Sequence, residues 1–218
     1  MIPKRVHYCW LSGEPYPEKM RRCMASWKKV LPDYEFVLWD AEKVPQSDWV
    51  MRWVAAGNYA FACDYVRLWA LYHEGGIYLD TDVEVLRPFG ELLDGELMLG
   101  EEGGSGAIEA AVMGAAKGNA AIGRVLDSFG ETPVREGETL PQRMRRVLGD
   151  DIELLPEDVL SPKSWKTGKV NLTQRTRTVH HFAGTWLSAK ERAAQRAGRL
   201  LGEWAVPCVR WLYARFGK

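Results

Sequence analysis

Apolar positions along the chain switch between strand-like and helix-like spacing, and the switches divide it into alternating elements. Residues 4–10 read as a strand. Residues 18–29 read as a helix, with Met20, Cys23, Met24 and Trp27 on one stripe. A second strand over 34–39 and a short helix over 48–56 follow. The run 60–74 is helical, with Phe61, Leu68, Leu71 and Tyr72 as apolar cover, and Gly75-Gly76 is its stop signal. A strand over 77–80 comes next. Further strands are expected within 92–100 and 107–115, and helices over 119–129 and 141–148. Val159 opens a loop-rich region, and 176–182 reads as a late strand. Strands alternating with helices predict an α/β layered domain. Periodicity by itself does not choose among doubly wound sheets, and there is no internal repeat or low-complexity linker.

The densest chemistry sits where the 77–80 strand ends, in Tyr78-Leu79-Asp80-Thr81-Asp82. Side chains in a strand alternate between faces, so Tyr78, Asp80 and Asp82 are expected on one face, and Ile77, Leu79 and Thr81 on the other. Aspartate is disfavoured in strands, and two on one face repel unless a cation lies between them. Mg²⁺ or Mn²⁺ suits such oxygen ligands and can hold a diphosphate. An isolated Asp-X-Asp more often marks a strand end, so the flanks carry weight. Asp64 and Arg67 share a face of the preceding helix; as a surface ion pair they would contribute only about 0–1 kcal/mol. The composite Ala-X-Asp-X-X-Arg, then Tyr-X-X-Gly-Gly-Ile-Tyr-Leu-Asp-X-Asp, is far more specific than either half.

Composition narrows the classes. The 218 residues suit one large domain or a domain with an appendage, and 46% hydrophobic residues supply a sizeable core. A formal net charge of zero argues against a nucleic-acid binder. Cys9, Cys23, Cys63 and Cys208 lack metal-ligand spacing and read as reduced thiols. The ten tryptophans include candidates for flat sugar or nucleobase platforms. The first strand begins by about residue 5 with no secretory signal ahead of it, and no apolar run reaches the ~18 residues of a membrane span. The expected location is cytoplasmic.

Residues 60–85 resemble the sugar-binding region containing the Asp-X-Asp motif of glycosyltransferase family 32, which includes yeast initiating mannosyltransferases and bacterial capsule and surface-polysaccharide enzymes. Clostridial glucosylating toxins share the layout. Ile2-Pro3-Lys4-Arg5-Val6-His7-Tyr8-Cys9-Trp10 is similar to the family's opening strand, and His180-His181-Phe182-Ala183-Gly184-Thr185-Trp186 to its closing element. The resemblance implies a GT-A-type nucleotide-sugar fold over residues 1–187. It implies a retaining transfer from a nucleotide-sugar donor to a saccharide or lipid-linked acceptor, in surface polysaccharide synthesis, with Mn²⁺ or Mg²⁺ as cofactor.

The resemblance also assigns roles. Trp10 stacks on the nucleobase. Asp64 accepts from ribose or donor-sugar hydroxyls, and Arg67 reaches the donor sugar or diphosphate. Tyr78 helps form the nucleoside pocket. Asp80 lies near ribose and donor sugar, partly through the metal's shell, while Asp82 is a direct metal ligand. Either His180 or His181 completes the metal shell, with His181 preferred by its distance to Trp186, and Trp186 covers the donor. Asp80, Asp82 and Arg67 are the expected catalytic set. Glu101, Glu102 and Glu109 either border the acceptor or are solvated loop charges. A Thr-Gly-Pro-like element near the acceptor is missing; only Glu131-Thr132-Pro133 and Gly137-Glu138-Thr139-Leu140-Pro141 stand nearby.

Residues 188–218 differ in character, with seven basic and two acidic residues, which leaves this segment at +5 and the remainder at −5. Its tryptophans and leucines allow two readings: a basic amphipathic segment lying peripherally on an anionic inner membrane face, or helices packed on the domain or on a second copy. Pro207 divides it into two pieces. Two other functions remain open: a metal-dependent hydrolase or phosphotransferase, though no Walker-type loop is present, and a catalytically inactive nucleotide-binding scaffold.

Overall fold

The computed structural model describes residues 1–130 and 137–184. The expected tail over 188–218, Trp186 and the Glu131-Thr132-Pro133 element lie outside the described residues.

Five strands form the main sheet in the order β2-β1-β3-β6-β5. β1 (Arg5–Cys9) runs parallel to β2 (Glu35–Trp39) and to β3 (Gly76–Leu79). β6 (Val112–Ala115) is antiparallel to β3, and β5 (Leu97–Met98) is antiparallel to β6. The parallel part is joined by helices: α1 (Glu18–Val30), α2 (Asp48–Ala55) and α3 (Tyr59–Glu74). A separate two-stranded ribbon pairs β4 (Val83–Val85) with β7 (Thr178–His180), antiparallel, with Val83 opposite His180. Helices α4 (Ala120–Asp127), α5 (Leu140–Leu148) and α6 (Glu157–Leu160) complete the described elements. Most predicted elements recur here with shifted ends; β4 and α6 lack a sequence counterpart because three or four residues carry too little periodicity.

Strand alternation in β3 divides the core. Ile77 and Leu79 join Trp27, Leu31 and Val83 on the α1 face. Tyr78 joins Val66, Leu71 and Met113 on the α3 face. All four β3 residues are buried, so only the strand's end can reach solvent-borne chemistry. The α1 stripe is explained the same way. Met20, Cys23 and Trp27 are buried, and the Trp27 indole N–H donates to the Val83 carbonyl at 2.7 Å. Together with the Val85 N–H bond to Ser26 Oγ (2.9 Å), this fixes β4 against α1. Among the described residues no helix is long and apolar enough to cross a membrane.

The turn from α3 into β3 needs glycine. Gly76 has φ 117°, and an added Cβ would stand 2.6 Å from the Arg5 carbonyl oxygen, far inside contact distance. Glycine alone lets the incoming strand lie this close to β1.

His7 ties the same corner. It is fully buried. Its Nδ1 accepts from the donor-only indole of Trp39 at 3.1 Å, which leaves the proton on Nε2, 2.9 Å from the Gly75 carbonyl. Burial holds its pKa below the ordinary histidine value. A second proton would face the Trp39 N–H. Because the unfolded chain binds that proton more readily, the His7 contribution to stability is present above about pH 6.5 and declines as pH falls below it. Urea unfolding followed from pH 8 to pH 5 should show this decline, at most about 1.4 kcal/mol per pH unit from one site. A His7→Gln variant should lose that component of the slope.

Candidate active site

The C-terminal end of β3 opens into a tight turn. Asp80 N–H donates to the Ala111 carbonyl at 2.9 Å, and Val83 N–H returns to the Asp80 carbonyl at 3.0 Å. The strand therefore stops at Leu79, and the turn, rather than continued alternation, brings the Asp80 and Asp82 carboxylates together. Ribbon pairing then delivers a third group. With Val83 opposite His180, the imidazole of His180 projects to the aspartates, and donor atoms of Asp80, Asp82 and His180 all lie within 4.8 Å of one another. His181 is not at this cluster. Adjacent strand residues face opposite ways, and its Nε2 lies 2.9 Å from Glu84. The preference for His181 is corrected to His180.

Arg67 underlies the cluster. Its guanidinium lies over the Tyr78 ring at 4.6 Å. Nε donates to the Cys63 carbonyl (3.3 Å), and one terminal nitrogen reaches Asp80 (3.4 Å) and the Ala110 carbonyl (2.7 Å). The other meets Asp64 (3.2 Å) and Asp80 (3.4 Å). These five contacts match the five N–H donors of a guanidinium. Arg67 is thus turned inward, and in this arrangement it serves Asp64 and Asp80 rather than reaching out to a diphosphate. Tyr78 is likewise buried, with its hydroxyl donating to Asp80 at 2.9 Å; it positions Asp80 and presents no surface to a nucleoside.

The charges are strongly coupled. Burial raises the pKa of Asp64 to about 6 against the opposing pull of Arg67. Burial also raises that of Asp80, partly countered by Arg67. Arg67 loses by burial, but the Asp80 carboxylate and its other neighbours hold it firmly cationic. At His180 burial opposes the imidazolium, yet Glu109 and Asp82 prevail and push its pKa up to about 9.

Glu109 adjoins this cluster, a placement that sequence reasoning did not single out. In a glycine-rich stretch it looked like one of three loop carboxylates, but it is 1% exposed. Its carboxylate accepts from the Ala111 N–H at 2.7 Å and lies 3.1 Å from His180 Nδ1. Glu101 is exposed and Glu102 half-buried.

The donor set fits a divalent cation. Two carboxylates and one imidazole suit Mn²⁺ or Mg²⁺. Asp82 Oδ1 and His180 Nε2 stand 3.6 Å apart. That is too long for a strong hydrogen bond but within the roughly 3–4 Å that separates neighbouring ligands of one such ion at about 2.1 Å each. The other Asp82 oxygen accepts the Ala183 N–H at 2.7 Å. Phe182, at φ 49°, makes the bend that brings this amide in and lays its own ring 3.9 Å from the His180 ring.

Beside β1, an open cleft of about 350 Å³ is lined by Trp10, Ser12, Gly13, Asp40 and Glu42, among others. The Trp10 indole N–H donates to the Glu14 carbonyl at 2.6 Å, and its ring packs on Tyr16 at 4.7 Å.

Residues 17–99, which span this Asp-X-Asp turn, match the model of the glycosyltransferase sugar-binding region containing DXD motif. That stretch is similar to the DXD family over rather more than a third of the chain. Inositol phosphoceramide mannosyltransferase 3 of Schizosaccharomyces pombe is 36% identical over 124 residues, covering 54% of this chain and 34% of the yeast protein. Subversion of eukaryotic traffic protein A of Legionella pneumophila is 26% identical over 129 residues, covering 42% of this chain and 20% of that protein. The chain thus spans about a third or less of these relatives' lengths. Among solved structures, PaToxG glycosyltransferase superposes with a TM-score of 0.52 at 21% identity, covering 67% of this chain and 68% of that one. A glycosyltransferase involved in glycosylation of the PBCV-1 major capsid gives 0.50 at 14% identity, covering 89% and 98%. The fold is of GT-A type, as the DXD family resemblance implied.

The buried Arg67 generates a stability prediction. Removing it leaves Asp64 and Asp80 uncompensated, so Arg67→Ala should cost roughly 3–5 kcal/mol in equilibrium denaturation. Arg67→Lys keeps the charge but not the five-way fork, and should recover only part of that loss. An unchanged denaturation midpoint in the Ala variant would contradict this role.

Proposed function

We propose that this chain is a metal-dependent retaining glycosyltransferase that moves a sugar from a nucleotide-sugar donor to a saccharide or lipid-linked acceptor in surface polysaccharide synthesis. The convergence of Asp80, Asp82 and His180 at the end of β3 carries this reading. The open cleft beside Trp10 supports a nucleoside next to it. The yeast relative's name, an inositol phosphoceramide mannosyltransferase, supports a hexose donor and an acceptor borne on a lipid. The net charge of +5 over residues 188–218 supports peripheral contact with an anionic inner membrane face, where such an acceptor would be met.

Asp80, Asp82 and His180 would hold a divalent cation, which when bound would supply charge stabilisation for a departing diphosphate. Asp64, half-buried at the edge of the cluster, accepts from a donor hydroxyl. Arg67 keeps Asp64 and Asp80 in place from beneath. The anomeric carbon–oxygen bond breaks with its electron pair going to the β-phosphate. The acceptor hydroxyl forms the new bond on the same face and gives its proton to the departing phosphate, which accounts for retention without an enzyme nucleophile. Trp186, which lies outside the described residues, is assigned to donor binding by its place in the closing motif.

Two experiments test this reading. With a panel of nucleotide sugars, EDTA should abolish transfer and hydrolysis, and Mn²⁺ or Mg²⁺ should restore them. Asp82→Asn should lower turnover by roughly 10²-fold or more, borrowing the loss seen when one transition-state electrostatic group is removed. Full turnover of metal-free protein would sink the assignment. Hydrolysis that no acceptor diverts would favour a hydrolase, and metal-dependent nucleotide binding without turnover a scaffold. Separately, Trp10→Ala should weaken nucleoside diphosphate binding by about 1–3 kcal/mol, the range for a base stacked on an aromatic ring, with Trp10→Phe recovering part. Unchanged affinity would remove Trp10 from the donor site.

A further inference from the structure

We propose that Glu109 is a positioning residue whose buried carboxylate orients His180 so that Nε2, and not a ring N–H, is offered to a cation held by Asp80 and Asp82. The inference rests on the metal-dependent reading above and concerns a residue that none of the matched motifs contains. Glu109 is almost wholly buried, which is costly for a carboxylate unless both oxygens are used. Both are used: one accepts the Ala111 N–H at 2.7 Å, and the other lies 3.1 Å from His180 Nδ1. The Ala111 contact matters because Ala111 immediately precedes β6 and its carbonyl accepts the Asp80 N–H. Glu109 is therefore fixed to the same stretch of backbone that fixes Asp80. An ionised carboxylate has no proton to donate, so Nδ1 must carry one. The lone pair of a neutral ring is then on Nε2, which faces Asp82 Oδ1 at 3.6 Å. Phe182 packs its ring against the imidazole at 3.9 Å and limits its rotation.

Glutamine cannot do the same work, although it is nearly isosteric. It has one acceptor oxygen where two are needed. If that oxygen stays on the Ala111 N–H, its NH₂ group faces Nδ1. The ring then has to accept at Nδ1 and carry its proton on Nε2, pointing at the cation. If the oxygen turns to Nδ1 instead, the Ala111 N–H faces a donor. A residue acting only to fill space or to satisfy Ala111 would predict no dependence on His180.

The test is Mn²⁺ affinity of the full chain, without nucleotide, by electron paramagnetic resonance of free Mn²⁺. Wild type, E109Q, H180A and the double variant are compared. E109Q should weaken Mn²⁺ by roughly 10–100-fold, the usual loss when a ligand's supporting carboxylate is removed. In the H180A background E109Q should weaken it no further. Wild-type affinity in E109Q, or an equal loss with and without His180, would overturn the proposal while leaving the metal site intact. Failure of the wild-type chain to bind Mn²⁺ would instead overturn the metal reading, and this inference with it. Should E109Q fail to fold, Glu109→Asp keeps the charge and both oxygens but withdraws them by one methylene. It should weaken Mn²⁺ several-fold with His180 present and not at all in H180A; unchanged affinity in Glu109→Asp would overturn the proposal equally.

Discussion

Asp64, Asp80, Asp82 and Glu109 gather at one end of a buried strand, and like charges so close together would drive the turn apart without compensation. Two cationic groups make the arrangement tenable. Arg67 sits below, enclosed by Asp64, Asp80 and the Tyr78 ring. His180 enters from the side, between Asp82 and Glu109. Their geometries differ in a way that suits the two tasks. The guanidinium is saturated by its own chain and cannot leave without exposing buried carboxylates. The imidazole can surrender one proton, and its Nε2 stands 3.6 Å from Asp82 Oδ1. A fixed charge thus supports the floor of the site, and an exchangeable one stands at its rim.

The packing explains why the floor is rigid. β3 is covered on both faces, by the α1 layer and by the α3 layer, and is hydrogen-bonded on both edges. Movement of Asp80 would have to shift the main sheet. Asp82 and His180 belong to the turn and to the β4–β7 ribbon, which is held by fewer strands but is tied to α1 through Trp27 and Ser26. The rim is therefore anchored independently of the floor.

Much of this was legible in the residues. The α1 stripe, the α3 helix stopped by Gly75-Gly76 and the aspartates at a strand end are local patterns, and local patterns survive folding when tertiary packing agrees with them. Three features were not local. The turn at Thr81 replaced the strand alternation expected for Asp82, because the Asp80 backbone bonds to Ala111 and Val83 rather than extending the ladder. The choice of His180 over His181 depends on the register of β7 against β4, which no spacing within the closing motif can reveal. Glu109 was hidden for a different reason: in a glycine-rich stretch a glutamate reads as solvated. Alternation about Ile108-Glu109-Ala110 would turn it outward, yet all three residues are buried. His7, noticed as a motif residue, proved to be a tautomer-locked tie between β1, β2 and the Gly75 turn.

The ribbon also bears on synthesis. β4 and β7 are joined by partners as far apart as Val83 and His180, 97 positions along the chain. Such long-range pairing forms late, after local helices and neighbouring strands. While the chain emerges from the ribosome, the sheet, Arg67 and both aspartates can assemble with the third donor still unmade. A nascent chain therefore carries an acidic, half-built centre until residue 180 is released, and the Asp80–Asp82–His180 cluster comes together only once nearly all of the described chain exists.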